Sequence, residues 1–334
     1  MTNSDLDIFP EPEGLKARLL DQQKWTRRTL TRPENFTRMI EAVRPVVFNT
    51  LSLPGWLRVA EMANVPYIPA REIMSFPAET CFGAMDENEA AGEAMDRHER
   101  EIIAALGERE MLRMEQVAPA EIKHQRSCGK PMGDGSFYSD HFGEKILNLY
   151  EERFFITLMD ASEETVRAYA RPIVTPEMIP GTFRDMSGEW PEEFRVFVKD
   201  GQVRGVSNYY PQVDMDPDAH GARMAKAVEQ ARRLIGFMND HRITVNNAAF
   251  RTENDAGVSC TLDFLTTSSG EVLFLEGGPE GLRGAHPCCF LDEYGALKED
   301  NGARPLEGAV FAESGPVHSM DDIDAHHENN APRP

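Results

Sequence analysis

Two stretches of apolar alternation, with one long amphipathic segment between them, restrict the second half of this chain to an antiparallel sheet covered by a helix. From Phe194 to Lys199, Phe194, Val196 and Val198 share one face while Arg195, Phe197 and Lys199 share the other, the period-two pattern of a strand. Asp200-Gly201 follows, a preferred two-residue hairpin turn, and Gln202 to Tyr210 returns as the partner strand. Between about Gly221 and His241, Met224, Ala227, Val228, Ala231, Leu234, Ile235 and Met238 recur at spacings of three and four, which predicts a helix with its stripe against a sheet. A second hairpin closes the set. Val258, Cys260, Leu262 and Phe264 alternate with Ser259, Thr261 and Asp263, Ser268-Ser269-Gly270 turns the chain, and Val272 to Glu276 returns.

A chain of 334 residues has the length of about two ordinary domains or one two-lobed unit. The expected division is an N-terminal extension over 1–31, a first lobe over 32–168, a second lobe over 169–313 and a disordered acidic tail over 314–334. The first lobe contains a helix entered at Pro33, a strand at Pro45-Val46-Val47-Phe48 and a charged helix from about Glu87 to Leu106. Apart from a short helix around Leu15 to Asp21, the two ends carry too few apolar residues to offset the entropy of ordering. The fold class this predicts is α+β, with antiparallel sheets and packed helices in two lobes.

The formal charge of −21 disfavours nucleic acid and anionic membranes as partners, because both reward basic surface. The first residues show no basic segment followed by an apolar one, and no window approaches the roughly 20 apolar residues of a membrane span. Five cysteines, Cys81, Cys128, Cys260, Cys288 and Cys289, lack metal-ligand spacing and read as reduced thiols. A cytoplasmic location is expected.

Asp263 and Glu276 are the most informative polar residues. With Ser268 and Ser269 as the hairpin loop, Asp263 falls opposite Phe274 and Glu276 becomes its diagonal neighbour on the same face, about 7 Å away at the backbone. Two carboxylates at that span can close around a hard cation, and magnesium commonly binds through one or two carboxylates plus substrate phosphates. The competing reading is a solvated Asp263 and a strand-end Glu276. Gly277-Gly278-Pro279-Glu280-Gly281 favours the site, since low side-chain bulk suits close approach of a ligand to backbone. Arg195 and Lys199 share a strand face and can hold phosphate, as a bidentate fork and a point charge respectively; Lys199, at a turn, is better explained as a solvated end, while Arg195, flanked by core residues, favours function.

The run Arg171, Glu193-Phe194-Arg195, Asp200-Gly201, Val206-Ser207, Asp263 and Phe274-Leu275-Glu276-Gly277-Gly278-Pro279 resembles the cell division cycle protein 123 family, whose members have the ATP-grasp fold. Leu112-Arg113-Met114-Glu115-Gln116-Val117-Ala118-Pro119 resembles that family's Pro-Lys-Leu-Asn-Trp-Ser-Ala-Pro segment. The likeness covers about Met111 to Phe290. It implies ATP held between two ATP-grasp-like lobes, with Asp263 and Glu276 as magnesium ligands, Arg195 and Arg113 near the phosphates, Arg171, Ile173 and Val174 near the adenine, and Glu193 among the nucleotide-binding positions. Arg113 stands where the family has a lysine, Glu276 where it has Asp, and Gly278 where it has a metal-ligating Asn; Lys123 or Lys130 is available to compensate for Arg113.

The expected function is an ATP-dependent ligase that activates a carboxylate as an acyl phosphate, with Arg195 in the catalytic position and an unknown small molecule or protein as substrate. The family includes an assembly chaperone for a translation initiation factor, so an ATP-dependent binding protein is the alternative, and a degenerate nucleotide-binding module is the third. Weaker features are the glycine-rich stretch Gly129 to Gly135, as well explained as a surface loop, and His286-Pro287-Cys288-Cys289 and His326-His327, better explained as buried thiols and a solvated tail.

Overall fold

The computed structural model describes residues 33–115, 165–183, 186–209, 217–246 and 258–279. Lys123, Lys130, the glycine-rich stretch, the His286 to Cys289 segment, the helix expected near Leu15 and both tails lie outside the described residues. In chain order, a short 3-10 turn at Pro33–Asn35 enters α1 (Phe36–Glu41), followed by β1 (Val46–Asn49), α2 (Leu53–Met62), β2 (Arg71–Pro77), α3 (Ala78–Met85), α4 (Glu89–Ala105) and β3 (Glu110–Met114). Then come β4 (Thr165–Pro172), β5 (Met178–Phe183), β6 (Met186–Pro191), β7 (Glu193–Lys199), β8 (Gln202–Asn208), α5 (Pro217–Asp240), β9 (Ile243–Asn246), β10 (Cys260–Thr266) and β11 (Val272–Gly278).

The expected hairpin, helix, hairpin order builds a four-stranded antiparallel sheet in the order β11-β10-β7-β8. Asp200 and Gly201 both have positive φ, 52° and 71°, the pair of left-handed residues that a type I′ turn requires. The stripe of α5 lies on one face of this sheet. Met224, Ala227, Ala231, Leu234 and Met238 are buried with Phe194, Val196, Val198, Cys260, Leu262, Phe264 and Phe274. Helix α2 joins the same core through Trp56, whose ring stands edge-on to Phe48 and Phe274 at centroid distances of 5.0 and 6.4 Å. Strand β1 pairs in parallel with β9, so residues 46–49 enter the core built by the second half of the chain.

A second sheet, β2-β4-β3, has one apolar face. Phe76, Leu112, Met114, Val166 and Ala168 pack there against Cys81 of α3 and Met95 and Ile102 of α4. Burial pushes the Cys81 thiol up to about 12, which makes it a packing residue rather than a nucleophile. By alternation along β3 and β4, Arg113, Glu115, Arg167, Tyr169 and Arg171 occupy the opposite face. The expected division at 168/169 falls inside β4.

Several links join the sheets among the described residues. Residues 66–68 lie beside β11, with the Ile68 amide donating to the Phe274 carbonyl (3.1 Å) and the Phe274 amide to the Pro66 carbonyl (2.8 Å), before the chain enters β2. Residues 173–177 leave β4 and reach the end of β10, where the Glu177 amide donates to the Thr266 carbonyl (2.9 Å). Arg113 and Arg171 add side-chain links to Glu276 and to the Leu275 carbonyl, described below.

Candidate functional site

Because α5 covers the apolar face of the four-stranded sheet, its other face carries Glu193, Arg195, Phe197, Thr261 and Asp263 by strand alternation. Asp263, on the inner strand β10, has Arg195 of β7 as its partner on one side and Glu276 of β11 on the other. Direct cross-strand partners lie on one face with their Cβ atoms about 5 Å apart. The guanidinium of Arg195 donates two parallel hydrogen bonds to the Asp263 carboxylate, Nε to Oδ1 at 2.8 Å and an Nη to Oδ2 at 2.7 Å. Both residues are buried, at 5% and 4% exposure. The Arg195 guanidinium carbon also lies 4.5 Å from the ring centroid of Tyr209, so the fork is held on one side by an aromatic face and on the other by a carboxylate.

Glu276 is matched from the other sheet. Nε of Arg113 donates to its Oε2 at 3.0 Å, and an Nη of the same guanidinium donates to the Met114 carbonyl at 2.6 Å. Arg195, Asp263, Glu276 and Arg113 thus form a continuous row of charged side chains, two carboxylates between two guanidiniums, that crosses β7, β10, β11 and β3. Arg171 is buried beside it and donates to the carbonyls of Ile68 (2.9 Å) and Leu275 (2.8 Å), fastening β4 to both the incoming segment and β11.

One expected detail is corrected. Asp263 does not lie opposite Phe274 with Glu276 diagonal to it; Phe274 faces Phe264, and Glu276 faces Asp263 directly. The loop contains three residues, Ser268, Ser269 and Gly270, with the Gly270 amide donating to the Thr267 carbonyl (2.8 Å) and φ of +82° at Gly270. That moves the register by one, and a bulge between the Asp263 and Phe264 pairings moves it again, past Leu275. The result is tighter than the diagonal pair, since two carboxylates now share one cross-strand position.

The other residues singled out from sequence fall around this row. Glu193 is buried on β7, at the position facing Leu265. Ile173 and Val174 are half-buried in the segment that connects the sheets, and the Ile173 amide donates to the Arg109 carbonyl (2.8 Å). Lys199 sits at the β7–β8 turn facing Gln202, about 13 Å along the strand from Arg195, and does not join the row. Among the described residues no group of three or more His, Cys, Asp or Glu side chains is placed to hold a metal. Asp263 and Glu276 fit a cation that takes two carboxylates and draws its remaining oxygens from a ligand, the habit of magnesium.

Residues 188–288 match the model of an ATP-grasp domain family, the second family of its clade. That stretch runs from β6 through α5 to beyond β11 and contains Arg195, Asp263 and Glu276. Within that stretch the antiparallel sheet of β11, β10, β7 and β8, covered by α5, is ATP-grasp-like. No curated protein matches the sequence. Among solved structures, Cdc123 from Schizosaccharomyces pombe is similar at 11% identity and a TM-score of 0.39, over 70% of this chain and 86% of that one. A C-terminally truncated form of it is similar at 11% identity and a TM-score of 0.36, over 69% and 83%. The N5-carboxyaminoimidazole synthase from Aspergillus clavatus, in complex with ADP and 5-aminoimidazole ribonucleotide, is similar at 13% identity and a TM-score of 0.30, over 75% of this chain and 51% of that one. No helix among the described residues is long and apolar enough to cross a membrane.

Beside the charged row lie polar residues that sequence reasoning missed. The Glu115 carboxylate accepts from the Ser52 hydroxyl at 3.0 Å, the same hydroxyl that caps α2 at the Gly55 amide, and lies 3.7 Å from Arg167. Burial first, and then the nearby Glu115 charge, raises the Tyr169 hydroxyl above the ordinary tyrosine range. The alternation of Val166, Ala168 and Ala170 with Arg167, Tyr169 and Arg171 is the available signal for this strand, and a boundary drawn at Tyr169 cuts through it.

Glu192, next to the row, is fully buried and ties α5 to the β6–β7 corner. It accepts from Nε and an Nη of Arg223 at 2.6 and 2.7 Å and lies 2.5 Å from Nδ1 of His220. Burial alone would raise its carboxyl, but hydrogen bonds from Arg223 and His220 outweigh that and hold it below the ordinary 4.5. A carboxyl lowered in the folded state binds fewer protons there than in the unfolded chain, so its contribution is present above pH 4.5 and is lost as pH falls through the folded value. Urea denaturation of Glu192→Gln is therefore expected to show a deficit of about 1.5–3 kcal/mol near neutrality, the range for hydrogen bonds to charged groups. The deficit should shrink on acidification below pH 4.5; a deficit independent of pH would contradict the ionised state of Glu192.

Proposed function

We propose that this protein binds ATP with magnesium on the polar face of the four-stranded sheet and acts as an ATP-dependent ligase. The observation that carries the reading is the pairing of Asp263 with Glu276 across adjacent strands, bracketed by Arg195 and Arg113. Asp263 and Glu276 would hold the magnesium, and Arg195 and Arg113 would turn from their carboxylates toward phosphate oxygens as the cation takes their place. A guanidinium fork suits both partners, carboxylate and phosphate. Ile173 and Val174, next to Arg171 in the chain, would give a half-buried apolar edge for the adenine, with Glu193 a further candidate contact. Lys123 remains a further candidate phosphate contact. When bound, ATP would transfer its terminal phosphoryl group to a substrate carboxylate, leaving ADP and an acyl phosphate that an amine attacks with loss of phosphate. The chain's contribution is positioning and neutralisation of charge, with Arg195 as the catalytic cation, rather than a covalent nucleophile.

A second reading, an ATP-dependent binding or assembly protein without turnover, is favoured by two observations. Both carboxylates already hold guanidinium partners, and Gly278 offers no side-chain oxygen beside them. The charge of −21 suits a basic client and disfavours nucleic acid. The buried cysteines Cys81 and Cys260 suit a reducing cytoplasm.

ADP release, measured with the full chain, ATP and magnesium against pools of carboxylic acids and amines, separates the readings. Release dependent on a carboxylate supports ligation. ATP-dependent thermal stabilisation without release from any pool selects the binding protein instead.

A further inference from the structure

Thr261 stands two residues before Asp263 on β10 and therefore on the same face of the sheet. Its cross-strand partner on β11 is Gly278, two residues beyond Glu276, which itself faces Asp263. The side chain is buried at 1% exposure, and its hydroxyl makes one long hydrogen bond, to the Pro279 carbonyl at 3.4 Å. A Cβ placed on Gly278 would come within 3.1 Å of that hydroxyl oxygen, tighter than ordinary van der Waals contact. The glycine thus leaves open the space around the Thr261 hydroxyl, beside two carboxylates. Valine would serve the packing equally well at a β-branched strand position, so a weakly engaged hydroxyl there is a polar group without strong internal use.

We propose that the Thr261 hydroxyl is the third protein oxygen of the cation site, completing a set with Asp263 and Glu276 on the side that Gly278 leaves bare. Threonine and serine hydroxyls are established magnesium ligands in phosphate-loop proteins, and a neutral oxygen adds coordination without adding a negative charge beside two carboxylates. The proposal rests on the reading of Asp263 and Glu276 as cation ligands, and its test separates the two.

Free Mn2+ is to be followed by electron paramagnetic resonance during titration of the full chain in the presence of a non-hydrolysable ATP analogue. The unliganded melting temperature of each variant serves as the folding control. Thr261→Val keeps the shape and removes the hydroxyl, and is expected to weaken Mn2+ binding about tenfold, the low end for loss of a group supporting a metal site; Thr261→Ser is expected to restore it. Wild-type binding in Thr261→Val, or binding in Thr261→Ser as weak as in Thr261→Val, would overturn the role of the hydroxyl. Asp263→Asn distinguishes the underlying reading. If Asp263→Asn loses Mn2+ and Thr261→Val does not, only the hydroxyl falls, whereas wild-type binding in Asp263→Asn removes the cation site itself.

Discussion

Asp263→Ala is expected to lower the stability of the chain by about 3–5 kcal/mol, the cost of leaving one member of a buried ion pair without its partner. Arg195 would remain almost fully enclosed, stacked on Tyr209 and flanked by the core residues of β7, with both of its donors to the Asp263 carboxylate unmet. The same substitution removes the carboxylate at the centre of the row, so stabilisation by ATP and magnesium should disappear with it. Removing both partners separates the two effects. In Arg195→Met combined with Asp263→Leu neither member of the pair is left without the other, and replacement of a buried pair by apolar residues is often neutral. The double variant is therefore expected to regain most of the lost stability in urea while staying unresponsive to ATP and magnesium. A double variant still stabilised by the nucleotide would refute the assignment of this row as the nucleotide site, and one as unstable as Asp263→Ala would show that the loss came from elsewhere.

Gly277→Ala should be comparably severe for a different reason. A Cβ at this position would lie 2.2 Å from Cε2 of Trp56 and 2.4 Å from Cδ2, inside the ring rather than against it. The ring cannot step aside. Its Nε1 donates to the Thr50 carbonyl at 2.8 Å, and Phe48 and Phe274 stand edge-on to it. Overpacking a dense core costs typically about 1–3 kcal/mol and occasionally more, and the depth of this overlap places it at or above the upper end. Thermal denaturation should show a fall of at least about 5 °C, taking roughly 2–4 °C per kcal/mol for a protein of this size. Gly278→Ala is the control, because its nearest contact is the Thr261 hydroxyl at 3.1 Å, a group that can rotate. Equal effects at 277 and 278 would mean that chain flexibility, and not Trp56, is what requires glycine here.

The parts of this fold that are legible in the sequence are those specified over a few residues. The Asp200-Gly201 turn and the α5 stripe follow from local stereochemistry and helical spacing, and both stand as expected. The Asp263–Glu276 relation is legible in kind but not in register. A two-residue and a three-residue loop are both compatible with Ser268-Ser269-Gly270, and nothing in the local pattern marks Leu275 as the residue a bulge would pass over. The partners of the carboxylates divide the same way. Arg195 is on a neighbouring strand that alternation already identifies. Arg113 lies 163 residues from Glu276 in sequence, on a different sheet, and only a family resemblance, not spacing, points from one to the other. Arg167 and Tyr169 are hidden because the short, alternating strand that carries them straddles the expected boundary between two lobes.

The parallel pairing of β1 with β9 also bears on how the protein is made. Val46 faces Ile243 and Phe48 faces Val245, and the apolar faces of α1, β1 and α2, with Phe36, Phe48 and Trp56, are covered by residues from the second half of the chain. A ribosome delivers those aromatic residues first, at about 5–20 residues per second, and the strands and helix that bury them emerge about 10–40 s later at that pace. Contacts of such long sequence separation also slow folding after release. The nascent amino-terminal segment therefore carries an unburied aromatic surface while the second half of the chain is synthesised, the interval in which a chaperone would hold it.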